Sequence, residues 1–392
     1  MSIVIFGDIF SFPEGGAATN RVYTYAKGFT ENGIKTHVIC FANDYVKTGR
    51  GVIDGINYYY PFGQDRRSQY FIVRNWKKIL KYFRTYSLIR KINKEDKITA
   101  INSWSNSFST HLFAWFLSKV FGMKMIIECS EHPLRFYQEG SFRKKNGALK
   151  FYLESHLCDG VFCISNYLVD FYRERKISDK KLLLVPSTVD PSRFEKTGEK
   201  PFLKPYIGYF GSLTFKRDSV DVLIKAFALF NRCHPEVHLV IGGFGTADQK
   251  QKIKELIAQL KVDPNARVLD LLPREEITRY ITHADALVMV RAKDLESDAS
   301  YPSKLTEFLS TGNPVVTVAV GEISSYLSDG VHAFLVEPGE PDKMADKLSY
   351  IFNNYSLAKE VGLHGKELAS GVFNYNFQSK RMIDFINSLI SG

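Results

Sequence analysis

The chain lacks the sequence features of several common protein classes. No apolar run in its 392 residues approaches the ~20 residues that a membrane-spanning helix requires. The opening stretch MSIVIFGDIF has neither a basic region nor a small-residue cleavage site, so it predicts a first β-strand rather than a signal peptide. No GxGxxG sequence follows this strand, which argues against a dinucleotide-dependent dehydrogenase.

Cysteine and histidine are few, and neither occurs at the spacing of a metal-binding or redox motif. The five cysteines are odd in number and contain no CxxC pair, a pattern typical of buried, reduced thiols in a cytoplasmic protein. The nine histidines show no metal-like spacing, so we expect no structural metal and no cofactor.

Acidic residues are absent from one long segment of a chain whose net charge is +10. Residues 71–94 carry eight Lys or Arg and no Asp or Glu, with aromatic residues interleaved and apolar residues at helical spacing (Ile79, Leu80, Phe83, Leu88 and Ile89). One interpretation is an amphipathic helix at an anionic membrane surface. The alternative is an ordinary helix that packs its apolar stripe on a sheet and leaves its lysines in water. No nucleic-acid-binding motif accompanies the charge, so we expect no nucleic acid partner.

Apolar, β-branched runs alternate with helical patterns along the whole chain, which predicts parallel sheets covered on both faces. The pattern restarts near residue 206 after a linker-like stretch at 187–205, so we predict an α/β protein of two doubly wound, Rossmann-like domains. The predicted domains are 1–195 and 196–374, with a C-terminal helix at 375–392 that packs back on the first. Because ligands bind outside the carboxyl ends of parallel strands, we expect the site in a cleft between the two facing domains.

Several loops after predicted strands carry residues suited to an anionic ligand. Gly15 and Gly16 precede a helix expected to begin near Thr19 or Asn20, whose free amides would favour a phosphate; a simple turn is the alternative. In the second domain Lys216 and Arg217 lie between a strand end and a helix start, where cations can neutralise a diphosphate; two solvated surface cations are the alternative.

The stretch SYPSKLTEFLSTGNPVV, residues 300–316, predicts a short helix with a sharp stop. Pro302 suits the first helical position, and Gly312 suits the C-terminal cap. Lys304 and Glu307 are spaced to share one face. They form either part of a ligand site, in which the carboxylate accepts hydrogen bonds from a ribose diol, or a surface salt bridge.

These loops, in order and spacing, resemble the GT-B retaining glycosyltransferases of family 4. The resemblance covers nearly the whole chain, and its most specific segments are PSKLTEFLSTGNPVV and DGVHAFLVEPGEPDKMADKL. It implies that Glu307 binds the donor's ribose, that Lys216 and Arg217 hold its diphosphate, and that Gly15 and Gly16 close on the donor. The candidate donor-binding residues are Gly15, Gly16, Gly211, Ser212, Gly243, Ser303, Lys304 and Glu307. The candidate catalytic residues are Lys216, Arg217 and His132; for His132, in ECSEHP, an exposed loop histidine is the alternative.

The sequence departs from the family pattern at a few positions. A second glutamate usually stands where this chain has Ala299, and Asp298 and Glu296 are the nearby carboxylates. Ser212 replaces a frequent arginine, and one extra residue leaves open whether Lys216 or Arg217 is the main diphosphate ligand. Ser187 and Thr188 replace a usual Asn-Gly pair.

The resemblance implies transfer of a sugar from a nucleoside diphosphate sugar, with retained anomeric configuration and no divalent metal. We expect a glycan or lipid-linked acceptor, cell-surface polysaccharide synthesis, and a cytoplasmic protein attached peripherally to the inner face of the plasma membrane through 71–94. Two alternatives stay open: a nucleotide-sugar epimerase of the same fold, and a non-catalytic nucleotide-sugar-binding protein.

Overall fold

A computed structural model describes residues 1–45, 47, 49–63, 67, 69–133, 151–152, 154–195 and 198–392. The chain divides into two compact units. Unit 1 comprises Met1–Thr188 and Tyr375–Gly392, and unit 2 comprises Val189–Asn374. Each is an α/β unit built on a largely parallel sheet, which confirms the predicted fold class.

The strands lie close to the positions that the apolar runs predict. They are β1 Ser2–Gly7, β2 Lys35–Cys40, β3 Gly49–Ile53, β4 Ile56–Tyr60, β5 Ile98–Trp104, β6 Lys124–Cys129, β7 Gly160–Cys163, β8 Leu182–Leu184, β9 Tyr206–Ser212, β10 His238–Phe244, β11 Ala266–Val268, β12 Ala286–Met289, β13 Val315–Val318 and β14 Phe334–Val336. Unit 1 has the strand order β3-β4-β2-β1-β5-β6-β7-β8, and unit 2 has β11-β10-β9-β12-β13-β14.

The helices fill the intervals between the strands. They are α1 Ala17–Glu31, α2 Phe71–Glu95, α3 Phe108–Phe121, α4 Asn166–Arg173, α5 Val220–Asn231, α6 Ala247–Gln259, α7 Arg274–His283, α8 Leu295–Ala299, α9 Ser303–Ser310, α10 Ile323–Tyr326, α11 Pro341–Asn353, α12 Tyr355–Ser370 and α13 Tyr375–Ser391. Short 3-10 turns occur at Asp179–Lys181 and Pro191–Phe194.

The first sheet has an antiparallel edge that the alternation pattern did not predict. β3 pairs antiparallel with β4, while the remaining strand pairs of this sheet are parallel. Asp54 and Gly55 form the two-residue turn, with φ of 49° and 76°. Positive φ at both central positions is the signature of a type I′ hairpin turn, for which Asp-Gly is a preferred sequence.

The core of unit 1 forms where α1 and α13 cover the centre of the sheet. β1 is buried along its whole length because helices cover a parallel sheet on both faces. Gly28 of α1 allows the closest approach of the two helices, since a Cβ there would lie 1.9 Å from Ser379 Oγ on α13. Met382 and Ile386 of α13 belong to the same apolar cluster.

The first and last residues of unit 2 lie next to each other. Val189 pairs with Asn374 in an isolated parallel bridge, and the Val189 amide donates to the Phe373 carbonyl at 2.9 Å. The predicted linker at 187–205 therefore contains bonded structure, including the turn at Pro191–Phe194; residues 196 and 197 of it lie outside the described residues.

Candidate functional site

The carboxyl ends of β9 and β10 in unit 2 each carry a glycine, so the backbone there has no side chains to cover it. β9 lies between β10 and β12, so it flanks the point where the strand order reverses, the usual ligand position in doubly wound sheets. Gly211 and Gly243 are register partners at these strand ends. Gly243 has φ of 138°, and a Cβ there would lie 1.8 Å from the Gly211 carbonyl oxygen. Glycine is thus required at 243 both by its backbone conformation and by the space available.

The loop after β9 carries the predicted diphosphate ligands. Lys216 and Arg217 are exposed, and within the loop the Asp218 amide donates to Thr214 Oγ1 at 3.2 Å. The Ala292 amide donates to the Arg217 carbonyl at 2.9 Å, which joins this loop to the segment after β12. Arg217 also lies 3.5 Å from Glu296 Oε2 on α8. Both side chains of that pair are partly exposed, so the pair contributes at most ~1 kcal/mol.

Arg291 is a second arginine at this edge, and the sequence analysis missed it. It follows β12, is 7% exposed, and donates to Ser300 Oγ at 2.9 Å. Burial lowers the pKa of Arg291, and the nearby positive charge of Arg217 lowers it further. An arginine directly after the apolar run ALVMV was the available signal, because a cation at that position must end in a polar site. The strand itself ends two residues before Arg291, at Met289.

Lys304 and Glu307 lie in the first half of helix α9. Burial lowers the pKa of the half-buried Lys304 ammonium, and the negative charges of Glu307 and Asp218 oppose that shift. Asp218 belongs to the β9–α5 loop, so its charge acts on Lys304 from that loop. Ser303, the first residue of α9, stands beside Lys304 in the chain.

The ends of α9 largely follow the predicted pattern. Pro302 is the N-cap rather than the first helical residue, so the helix begins one position later than we predicted. The buried apolar residues of the helix are Leu305, Phe308 and Leu309. Gly312 has φ of 67°, which is the left-handed conformation of a helix C-terminal cap.

Ala299 leaves an apolar position where the family pattern has a carboxylate. Its side chain is fully buried at the end of α8. Of the two carboxylates that could stand in, Glu296 contacts Arg217, and it accepts a hydrogen bond from the Ser300 hydroxyl through its backbone carbonyl. Asp298 is half-buried.

In unit 1, Gly15 and Gly16 precede α1 in two different environments. A Cβ at Gly15 would lie 2.2 Å from Thr19 Oγ1, whose hydroxyl donates to the Ser11 carbonyl at 2.6 Å. Gly16 is the N-cap of α1, and a Cβ there would meet nothing within 4 Å. The helix starts at Ala17, two or three residues before the predicted position near Thr19 or Asn20.

His132 is buried among aromatic rings, so the alternative of an exposed loop histidine is wrong. It is 7% exposed, with the Phe171 ring centroid at 4.8 Å and the Tyr167 ring centroid at 5.9 Å. The Arg175 guanidinium lies over Phe171 at 3.5 Å. Burial lowers the pKa of His132, and the positive charge of Arg175 lowers it further. The imidazole is therefore neutral at pH 7, when it can accept a proton or a hydrogen bond.

A buried ion pair in unit 1 had no clear sequence signal. The guanidinium of Arg21 on α1 donates to Glu128 Oε1 on β6 at 2.8 Å, and to the carbonyls of Pro186 and Val185 at 2.7 Å each. Thr24 and Thr188 hydroxyls bond one another at 2.6 Å beside it. These contacts fix the chain just before it leaves unit 1 at Thr188.

Comparison with known families covers both units. Residues 193–368 match the family described as Glycosyl transferases group 1, and residues 15–193 match Glycosyltransferase Family 4. Each unit thus matches a glycosyltransferase family model, and the two matches together run from residue 15 to residue 368.

Solved structures share the fold of this chain along its whole length. A sucrose-phosphate synthase from Thermosynechococcus elongatus superposes with a TM-score of 0.75 at 15% identity, covering 100% of both chains. The Anabaena protein HepE, solved in complex with UDP-glucose, gives a TM-score of 0.68 at 15% identity, with 98% of this chain and 99% of that chain covered.

The matches to curated relatives cover a smaller part of the chain than the matches to solved structures do. A trehalose synthase from Pyrococcus horikoshii is 21% identical over 247 residues, which are 56% of this chain and 55% of the relative. The chain thus spans about half the length of the curated relatives it matches.

A large groove in unit 2 is lined by none of the predicted site residues. It has a volume of about 1100 Å³ and is lined by parts of β14, α11 and α12, including Phe334, Tyr350, Leu357, Glu340 and Glu360. None of its lining residues is one of the candidate donor-binding or catalytic residues. Within the described ranges, no three His, Cys, Asp or Glu side chains are grouped so that they could hold a metal ion.

Proposed function

We propose that this protein transfers a sugar from a nucleoside diphosphate sugar to a glycan or a lipid-linked acceptor, with retention of anomeric configuration, in cell-surface polysaccharide synthesis. One observation carries the proposal: the bare backbone of Gly211 and Gly243 lies at the same sheet edge as a group of cations and a carboxylate. The cations are Lys216, Arg217, Arg291 and Lys304, and the carboxylate is Glu307.

The group is suited to bind a diphosphate and a ribose together. Glycines without side chains let phosphate oxygens approach backbone amides, and Lys216 and Arg217 supply positive charge from the adjoining loop. Glu307, one turn along α9 from Lys304, can accept both hydrogen bonds of a ribose diol. Ser212 and Ser303 supply hydroxyls at the end of β9 and the start of α9.

The chemistry follows from stabilising the leaving group. When the bond between the anomeric carbon and the diphosphate oxygen breaks, negative charge develops on the diphosphate, and fixed cations lower the energy of that state. The acceptor hydroxyl then attacks the anomeric carbon from the face that the diphosphate leaves, and the departing oxygen takes the hydroxyl proton. Attack on the same face retains the anomeric configuration. With this charge met by side chains, we propose that no divalent metal or other cofactor is needed. His132, Gly15 and Gly16 remain predicted catalytic and donor-closing residues of unit 1.

We further propose that the protein works in the cytoplasm as a peripheral protein of the inner face of the plasma membrane. The segment 71–94, with eight cationic residues and no acidic one, supports this proposal. Among the described residues, no helix combines the length and the apolarity that crossing a bilayer requires.

A donor panel tests the proposed function. UDP-, GDP-, ADP- and dTDP-sugars are screened by thermal shift, and a true donor at about 100 times its Kd raises the free energy of unfolding by ~2.7 kcal/mol. Glu307→Ala abolishes this stabilisation, whereas Glu255→Ala, an exposed carboxylate on α6, preserves it.

Turnover assays then separate the three candidate functions. Transfer to an acceptor, with the product anomer read by NMR and the rate unchanged by EDTA, supports the proposal. Conversion of the sugar nucleotide to its epimer without an acceptor identifies an epimerase instead. Donor binding without turnover on any acceptor identifies a non-catalytic binding protein.

A further inference from the structure

The N-terminal half of α2 turns its apolar residues toward solvent, whereas an ordinary surface helix buries them. Ile72, Trp76, Ile79 and Phe83 recur at i, i+4, i+7 and i+11, so they form one stripe along the helix. This stripe faces solvent, with exposed fractions of 81%, 57%, 47% and 63% respectively. We had predicted that Ile79 and Phe83 would share a stripe with Ile89, but Ile89 is fully buried on the other side.

The buried face of α2 is partly polar and firmly bonded. Lys81 and Thr85 lie on it with Ile89 and Ile92. The Lys81 ammonium donates to the Phe41 carbonyl at 2.7 Å and to Asn43 Oδ1 at 3.0 Å, and it lies 3.9 Å from the Phe41 ring centroid. Turning the helix to bury its apolar stripe would break these contacts. The exposed stripe is therefore a stable property of unit 1.

Helix α3 extends the apolar surface. Leu112, Phe116 and Val120 recur at i, i+4 and i+8 and are all exposed. Tyr86 of α2 joins the two helices, with ring centroids 6.4 Å from Phe116 and 5.4 Å from Phe121. We define the α2–α3 surface as Ile72, Trp76, Ile79, Phe83, Leu112, Phe116 and Val120.

The charge around this surface identifies its partner. The cations of α2 other than Lys81 are Arg74, Lys77, Lys78, Arg84, Arg90, Lys91 and Lys94, and Glu95 is the one acidic residue of the helix. A second copy of the chain would bring the same positive charge to the contact, which opposes self-association through this surface. An anionic bilayer supplies both an apolar interior for the stripe and negative headgroups for the flanking cations.

We propose that the α2–α3 surface inserts into the headgroup region of an anionic bilayer, with Trp76 below the headgroups and the flanking cations at the lipid phosphates. The inference rests on the proposed peripheral location and specifies which residues enter the bilayer, namely the exposed apolar residues of α2 and α3. An inserted apolar stripe keeps part of its affinity in high salt, whereas attraction by charge alone is lost as the Debye length shrinks.

Trp76 is a natural probe for insertion. Of the other two tryptophans, Trp104 is buried and Trp115 is half-buried on α3. Vesicles of equal parts phosphatidylglycerol and phosphatidylcholine should shift the emission to the blue, and brominated phosphatidylcholine in them should quench it. Trp76→Phe keeps an aromatic side chain, so it should preserve vesicle binding while removing most of the shift and the quenching.

Co-sedimentation with the same vesicles measures the contribution of the stripe. The triple variant Ile72→Ser, Ile79→Ser, Phe83→Ser should weaken partitioning by about a hundredfold, because three apolar side chains no longer leave water. The control replaces two exposed apolar residues elsewhere, Val52→Ser and Leu203→Ser, and should bind like the parent. Lys77→Gln, Lys78→Gln, Lys94→Gln should weaken binding in low salt and leave the salt-resistant part intact.

Three results would overturn the inference. The first is unchanged partitioning of the triple serine variant. The second is vesicle binding that disappears entirely in high salt. The third is a parent protein that self-associates in sedimentation velocity without binding vesicles, with the serine variant restoring the monomer. Donor-induced stabilisation, measured on the same variants, reports on the proposed function separately and does not depend on lipid.

Discussion

Arg21 and Glu128 form a buried ion pair between α1 and β6, with Nε and Oε1 2.8 Å apart and both side chains withdrawn from solvent. The remaining guanidinium hydrogens bond the carbonyls of Val185 and Pro186, so one side chain connects three segments of unit 1. Such a pair adds little net stability as a whole, but removing one partner leaves a buried charge uncompensated.

Arg21→Met should therefore lower the free energy of unfolding by ~3–5 kcal/mol in urea denaturation. Lys225→Met is the matched control, because Lys225 pairs with Asp221 at 3.0 Å on the surface and should cost no more than ~1 kcal/mol. Equal losses in the two variants would show that the Arg21 pair is not as isolated from solvent as the structure has it.

Gly243→Ala should weaken donor binding and destabilise unit 2. The new methyl would collide with the Gly211 carbonyl, which forces β9 and β10 apart at the point where the diphosphate is proposed to bind. Gly339→Ala serves as the control, since Gly339 also has positive φ, 83°, but open space around it. It should cost about 1 kcal/mol of backbone strain and leave donor binding unchanged. A donor-induced thermal shift that survives in Gly243→Ala would contradict a donor site at this edge.

Lys81 makes stability depend on pH in the alkaline range. Burial lowers its pKa from 10.5 to about 8, so between these two values the unfolded chain binds the proton that the folded chain has released. Stability contributed by this group therefore rises with pH across that window, and below about pH 8 the folded state holds a buried charge at a cost. The difference in unfolding free energy between the parent and Lys81→Met should move in favour of the parent from about pH 7 to about pH 10, by up to ~3 kcal/mol. A difference that stays constant over this range would mean that Lys81 titrates normally.

One thiol should react rapidly in the native protein. Burial raises the pKa of Cys40, Cys129 and Cys158 to about 12 and that of Cys163 well above its ordinary value, whereas Cys233 is exposed. Ellman's reagent should titrate one thiol per native chain and all five in denaturant. Cys233→Ser should abolish the native reaction. A fast-reacting thiol that persists in this variant would show that unit 1 opens locally.

Strand positions were the most predictable part of the fold, because a parallel strand buried on both faces is an almost continuous apolar run. The runs beginning at Lys124 and Tyr206 correspond to β6 and β9. The β3–β4 hairpin was missed although Asp54-Gly55 signals it, since one of its two strands is largely exposed and lacks such a run. β14 was missed because a three-residue strand is too short to show a pattern.

The candidate site was predictable where the backbone conformation requires a particular residue type. It was less predictable where the role of a residue depends on whether its side chain is buried. Gly243 and Gly312 have positive φ, which favours glycine, and a glycine is visible in the sequence itself. The burial of Arg291, His132 and Lys81 depends on which elements pack around them, and no local pattern encodes that. Helical spacing grouped Ile79 and Phe83 with Ile89, although the first two face water and Ile89 is buried.

The bridge between Val189 and Asn374 makes unit 2 a cassette. Its sequence is continuous, and its first and last residues are bonded to each other, so only two peptide bonds join it to the remainder of the chain. Evolution can exchange such a segment as one piece by recombination at two adjacent points, and an experimenter can graft it in the same way. If donor recognition resides in unit 2 as proposed, a chimaera cut at 188/189 and 374/375 would acquire the donor preference of the inserted segment while keeping the lipid contacts of the host.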